Sequence, residues 1–463
     1  MVSEQFEQFK DVFENNISLD MGKLRTPGTS ILLFVKDKII YEGYYGTKDR
    51  STNEPIDQHS IFGIGSASKS FTCLAIMQLA EKNLLSINDP VAKYIPLKLG
   101  SKEKPITIRH LMSHASGIPA LDTSLTINYA TGMDKDMPLI PMSTKEDVLR
   151  FINNAQSEVI FEPQERFFYF NGGFTLLGYI IETVSGVSYK EYLQKNIFEP
   201  IGMNNTAFLN DKQLQSNPNV AKGYLPRGTE LQQVQVTVDH INNAAGGIAS
   251  TIGDLQKYLT AMITKDTKLL SNKAKYDEMF THQNKSDMFE NFIPDAEQDG
   301  YGFGWALYTN FHGRKVLEHG GHTSNYSTVL LFIPEEELGL IILANGSREP
   351  SLNHAIALIQ AFLGFDPKKE NLIYKQQEKL KKFCGPYQSY RGLAKLEVVN
   401  KEGTLFLESK NELGIPIFPK TDDLNCMDYY HYNQDGLKNK LFFIVKNNKM
   451  YLKFERTLFT KTG

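Results

Sequence analysis

Apolar residues recur at helical spacing at the amino terminus, at Phe6, Phe9, Val12, Phe13 and Ile17, and predict an amphipathic helix. Two β-branched and aromatic runs follow, Ser30–Val35 and Ile39–Tyr45, joined as a hairpin by Lys36-Asp37-Lys38. From Phe71 to Leu84 apolar side chains occupy nearly every side of a helix. A helix apolar all round is a buried one, and proline in Asn88-Asp89-Pro90 bars its continuation. Residues 121–144 mix Gly, Pro, Met and single charges without a period, the pattern of a lid or binding loop. Helical spacing returns over Phe174–Thr183, after Asn171-Gly172-Gly173, and over Ile252–Ile263. Two short strands, Val329–Ile333 and Leu338–Leu343, turn about Pro334 and are expected to pair antiparallel in one sheet with the early hairpin. A helix over Ser351–Phe365 closes this part.

Beyond residue 365 the texture changes. Residues 366–379 are charged and read as a linker or linking helix. Residues 380–463 carry eight short strand-like runs separated by turn signals such as Lys401-Glu402-Gly403 and Lys446-Asn447-Asn448-Lys449, the pattern of a small antiparallel β-barrel or sandwich. The expected organisation is one large domain over 1–365, a linker, and an all-β domain.

Composition narrows the function. Apolar residues make up 41% and charged residues 22%, values of a folded globular chain rather than a disordered one. A net charge of -3, from 50 basic and 53 acidic side chains, leaves no footprint for nucleic acid or an anionic membrane. No apolar run is long enough to span a bilayer. Three cysteines without Cys-x-x-Cys spacing argue against a disulfide scaffold. The first residues lack the basic and apolar regions of a signal peptide, so a cytoplasmic location is expected.

The chemistry concentrates at Phe62-Gly63-Ile64-Gly65-Ser66-Ala67-Ser68-Lys69. The glycines allow a tight approach into a helix whose first turn would hold Ser66, and Lys69 at i+3 shares its face. The helix start offers free N–H groups and a positive dipole end to a developing oxyanion. Serine is a poor nucleophile until a base takes its proton, and a buried lysine becomes such a base if its pKa falls by several units. Ser-x-x-Lys recurs by chance, and Ser66 alone would serve as a helix cap. A lysine one turn inside an apolar helix, however, needs a reason to be there.

Two further motifs stand in order behind it: Tyr169-Phe170-Asn171 before a helix, and His319-Gly320-Gly321 before the strand pair. Ser-x-x-Lys, Tyr-x-Asn and Lys/His-x-Gly in this order resemble the penicillin-binding and class C β-lactamase-like serine hydrolases. The blocks Ile108–Pro119, Ala245–Thr251 and Tyr301–Trp305 are similar to that family as well. The resemblance covers roughly residues 25–365. It implies an α/β (α+β) transpeptidase-like fold, an antiparallel sheet flanked by helices with a helical insertion. It implies Ser66 as acylated nucleophile, Lys69 as its activator and Tyr169 as proton relay, with positive charge from Lys69 and His319 steadying the phenolate. Asn171 would bind the substrate amide or hold Lys69. The N–H groups of Ser66 and His322 would form the oxyanion hole, and Gly320 and Gly321 would let substrate lie along the strand edge. The implied reaction needs no metal or cofactor.

Histidine at 319, where β-lactamases usually carry lysine, resembles family peptidases that recognise D-amino acids. Some of these carry an eight-stranded lipocalin-like barrel after the catalytic domain. The expected activity is therefore a peptidase or amidase on short peptides. A carboxylesterase or a β-lactamase would use the same machinery, and a non-catalytic penicillin-binding-like module is the reading from another class. The barrel could cap the cleft, size-select substrates or build a homo-oligomer. His110 and His114 at i, i+4 lack the glutamate of a metalloprotease helix and read as structural. Trp305 reads equally well as core or as cleft lining.

Overall fold

The strands predicted around Pro334 lie at the centre of an eight-stranded antiparallel sheet. Its order is Glu54–Pro55, Lys38–Asp49, Gly28–Val35, Leu338–Ala344, Ser327–Ile333, Arg314–His322, Ala306–Phe311, Glu297–Tyr301. The amino-terminal hairpin thus joins the carboxy-terminal strands edge to edge, with Thr29 opposite Ala344 and Val35 opposite Leu338. Leu338–Ala344 and Ser327–Ile333 are buried at every position, which is why they read as continuous apolar runs rather than alternating ones. The chain is described from a computed structural model covering residues 4–121, 143–234 and 243–462, apart from 287, 289–292, 294–295, 324, 347–351, 402, 410–411, 422, 424 and 434. The expected lid, 121–144, lies almost wholly outside the described residues.

The sheet belongs to the first of two compact units, Met1–Ile359. The amphipathic helix Glu4–Leu24 buries Phe6, Phe9, Phe13 and Ile17, and Phe13 meets Tyr41 of the sheet edge-on at 5.3 Å. Ile252–Thr264 packs on the central strands. The apolar helix is Ser68–Glu81, buried from Ser68 through Leu79 and packed against Asn171–Ser185 and Asn243–Gly246. It stops well before Pro90. Asn83 turns to a φ of 56° and the Leu84 N–H bonds back to Leu79 O, closing the helix with the residue type that best tolerates left-handed backbone after glycine.

The second unit, Gln360–Gly463, contains a closed barrel of eight strands, each antiparallel to its neighbours. Val398, Leu405, Leu407, Ile417, Tyr429, Leu441, Phe443, Leu452 and Phe459 fill its core. The charged stretch before it is helical, as Pro367–Glu370 and Leu372–Phe383, with Asp366 capping the first helix through the Lys368 N–H. The second helix is amphipathic. Leu380 and Phe383 join the barrel core while Gln377, Glu378, Lys381 and Lys382 face solvent.

Candidate active site

The strand Ile61–Gly63 pairs with Ile248–Thr251, and the chain then turns through Ile64 into a single 3₁₀ turn, Gly65–Ala67, that runs on into the buried helix. Ser66 sits in that turn, half-buried, at the point where the helix amides are still open. Two glycines make the setting. Gly65 has a φ of +49°, and a Cβ there would lie 2.8 Å from the His322 backbone nitrogen. A Cβ on Gly321 would lie 1.9 Å from Ile64 O. Without side chains at these two positions, the end of strand Arg314–His322 rests directly on the backbone that carries Ser66.

Lys69 is fully buried, and its Nζ donates to Ser66 Oγ at 2.9 Å and to Ala245 O at 2.8 Å. The same nitrogen lies 4.8 Å from the centre of the Tyr169 ring and 5.5 Å from that of Phe174. Tyr169 shares a hydrogen bond with Ser66. Burial raises its phenol pKa above the usual value of 10, and the bond to Ser66 opposes the rise. Ser66 Oγ is thus held between an amine, which can receive its proton when neutral, and a phenol, which can relay one. Neighbouring polar groups fix the helix that carries the pair. Ser68 Oγ accepts from the Ile248 N–H, Thr72 Oγ1 donates to Ala244 O, and Tyr258 donates to Ser70 Oγ. A Cβ on Gly304 would meet Ser70 Cα at 2.8 Å, so the Tyr301–Trp305 turn lies against the same helix.

His319 is 2% exposed. Its Nδ1 is 2.6 Å from Gly320 O and its Nε2 is 2.8 Å from the Tyr301 hydroxyl. A carbonyl only accepts, so Nδ1 carries the proton and Nε2 accepts from Tyr301. Burial, and then the charge of Lys69, lower the imidazole pKa from 6.5 to about 3. His319 is therefore neutral, which corrects the expectation that it lends positive charge to Tyr169; the Lys69 amine is the group beside that ring. The centres of the His319 and Tyr169 rings are 6.4 Å apart.

The structure brings Ser66, Lys69 and Tyr169 into mutual contact and sets Gly321 and His322 against the turn that carries Ser66. Asn171 opens the Asn171–Ser185 helix, half-buried, two residues beyond Tyr169. Ala245 O and the Tyr301 hydroxyl join the site without a role foreseen for them, although both lie in family-like sequence blocks. His110 is engaged structurally: its Nδ1 accepts from the Thr107 N–H in a capping box. Trp305 is core, fully buried and edge-on to Phe332 at 5.0 Å.

Comparison with known proteins identifies the family and the fold. The β-lactamase family matches residues 13–363, and the Pab87 octamerisation domain matches residues 367–460. Penicillin-binding protein 4* of Bacillus subtilis is 27% identical over 409 residues, covering 83% of this chain and 84% of that protein. Protein flp of Staphylococcus aureus is 26% identical over 352 residues, and the match spans 75% of this chain and 64% of that protein. Among solved structures, the octameric penicillin-binding protein homologue from Pyrococcus abyssi superimposes with a TM-score of 0.82 at 34% identity, over 97% of this chain and 99% of that one. A penicillin-binding protein from Bacillus halodurans gives a TM-score of 0.60 at 26% identity over 74% of this chain and 98% of its own. Motif order, fold and these likenesses together show that the chain belongs to the β-lactamase and penicillin-binding-protein superfamily, followed by a Pab87-type octamerisation domain.

Proposed function

We propose that the protein is a serine hydrolase that cleaves short peptides or amides, D-residues among them, through an acyl-enzyme on Ser66. The observation that carries this reading is the 2.9 Å contact between Lys69 Nζ and Ser66 Oγ, made by a lysine with no exposure to water. Ser66 Oγ attacks the substrate carbonyl carbon and its proton passes to the Lys69–Tyr169 pair. The oxyanion is held by the N–H groups of Ser66 and His322, donors of a kind typically worth about 10²–10³ in rate. The intermediate collapses, the C–N bond breaks, and the pair returns the proton to the leaving amine. Water then attacks the ester, its proton passes through Tyr169 to the neutral Lys69 amine, and the acid leaves as Ser66 is reprotonated. Asn171 and the Gly320–Gly321 edge orient the substrate amide, and His319 acts through the strand it fixes. Histidine at 319 supports a peptidase over a β-lactamase, since the site lacks the lysine usual there.

The test is intact-mass spectrometry after exposure to a fluorophosphonate. One adduct is expected, on Ser66, and none in Ser66→Ala; an adduct elsewhere, or none at all, overturns the mechanism. Turnover of D-alanine 4-nitroanilide supports the peptidase reading. Turnover of nitrocefin or of 4-nitrophenyl acetate in its place assigns the site to a β-lactamase or an esterase.

The proposal extends to assembly. Successive connections of an up-and-down barrel alternate between its two ends, so the turns after Gly385–Gln388 and Asp428–Tyr432 share one end. Those turns carry Leu393, Tyr390 and Leu437, exposed at 84%, 74% and 65%. Apolar side chains at such exposure suit a homo-oligomer built through the barrel, and the match to an octamerisation domain supports it. Light scattering should find a multiple of the 52.5 kDa chain that Leu393→Asp reduces; a wild-type monomer overturns this. No helix among the described residues is long and apolar enough to cross a membrane. Three free thiols suit a cytoplasmic location.

A further inference from the structure

His114 lies just past the short helix Ile108–Met112, with a left-handed φ of 54° that is costly for a residue bearing a Cβ. Its carbonyl accepts from the Phe168 N–H at 3.0 Å, and its Nδ1 accepts from the Phe170 N–H at 3.1 Å. These are the two residues on either side of Tyr169. The imidazole itself lies against the phenol ring, centres 4.2 Å apart and planes tilted by 31°. Phe174 and Tyr301 at 5.1 Å and Phe167 at 5.5 Å close around it. The same carbonyl accepts from Asn284 Nδ2 at 3.3 Å, and Asn284 exchanges backbone hydrogen bonds with Tyr301, whose hydroxyl holds His319.

We infer that His114 is a positioning residue for Tyr169, gripping the chain on both sides of the phenol and setting the plane of its ring. The inference rests on the assignment of Tyr169 as proton relay to Ser66. Core packing alone would be met by phenylalanine, which offers no acceptor to Phe170. Asparagine offers the acceptor and tolerates left-handed backbone, but it brings no ring. Accepting at Nδ1 requires a neutral imidazole with its proton on Nε2. Burial, with Lys69 and His319 nearby, keeps the His114 pKa well below 6.5. Proton transfer from Ser66 tolerates little error in the place of the phenol oxygen, since displacement by about 1 Å can cost about 10²-fold in rate.

The test compares His114→Gly with His114→Asn. Both relieve the backbone and both lose the ring, and only asparagine restores the acceptor. Saturation kinetics of fluorophosphonate labelling separate the acylation rate from probe binding. The glycine variant should lose about 10²-fold in the maximal labelling rate with the half-saturating probe concentration unchanged. The asparagine variant should recover at least about tenfold of that loss, at a melting temperature equal to that of the glycine variant. Equal rates in the two variants, or a loss confined to probe binding, overturn the inference. Should the glycine variant fail to fold, His114→Gln replaces it, because its amide oxygen sits one bond too far out to reach Phe170. Gln and Asn variants of equal rate then overturn the inference as well. Labelling that persists in Ser66→Ala would overturn the underlying hydrolase reading instead, so the two failures are distinct.

Discussion

The two units treat polarity in opposite ways. The first unit buries a glutamate, Glu318, and hides an amine and two imidazoles, Lys69, His114 and His319, among aromatic side chains. The barrel packs a core of aliphatic and aromatic residues and leaves leucines and tyrosines in water at its rim. Burying a charge or an imidazole costs free energy unless hydrogen bonds compensate, and the catalytic unit supplies such bonds to three of these groups: Ala245 O to Lys69, Tyr301 and Gly320 to His319, and Phe170 to Nδ1 of His114. Exposed apolar side chains cost little in folding and become useful when a second surface covers them. The proposed reaction would draw on the buried polarity of one unit, and the proposed assembly on the exposed apolar rim of the other.

Three experiments press on this difference. The largest effect is expected from Tyr169→Phe, which removes the phenol oxygen and keeps the ring against His114. Acylation of Ser66 should fall by about 10²–10⁴-fold, the range of a positioned proton-transfer group, with the fold unchanged by circular dichroism. Activity within a few-fold of wild type would mean that the buried polar cluster is structural only.

The next effect belongs to the barrel. Phe443 is 2% exposed and lies 4.3 Å from Phe383 and 5.3 Å from Tyr429, ring centre to ring centre. Phe443→Ala should remove about 3–5 kcal/mol of barrel stability. Trp305 is the only tryptophan and is buried in the catalytic unit, so its fluorescence follows that unit alone. Far-ultraviolet dichroism should show an earlier transition that Trp305 fluorescence does not share. A common shift of both signals would show that the units unfold as one.

The smallest effect is on pH. The pKa of His319 is held near 3 and that of His114 well below 6.5 in the folded state, so below about pH 6.5 the unfolded chain binds protons that the folded chain refuses. Stability therefore falls as pH falls through that window. For His319 this amounts to about 1–2 kcal/mol between pH 7 and 5.5, at about 1.4 kcal/mol per pH unit once the unfolded chain is protonated, and His114 adds to it in the same direction. The Trp305 transition should move to lower temperature over this range, and His319→Gln should make the slope shallower. A flat profile would show that the imidazoles take up protons in place.

Much of the fold was legible in the chain. Periodicity placed the amino-terminal helix, the hairpin and the central strand pair, because each buries its own pattern of apolar positions. It served less well at Leu84, where apolar residues run past the true helix end and the stop comes from the local backbone of Asn83. The charged stretch before the barrel read as a linker or a linking helix, and the structure makes it helical; its buried face is not obvious because Leu380 and Phe383 are few among lysines and glutamines. At the candidate site, Ser66, Lys69 and Tyr169 could be singled out by motif and order, and the structure brings them together. His114, Tyr301 and the Ala245 carbonyl did not, for their roles are contacts with residues remote in the chain.

The sequence by itself determined the elements, their order and the identity of the groups able to do chemistry. These follow from side-chain type and from spacings of a few residues. Only the tertiary structure decided the charge on His319, the tautomer of His114 and the company of Lys69. Protonation depends on burial and on neighbours brought in from distant strands and helices. That dependence turned His319 from an expected cation into a neutral, doubly held ring.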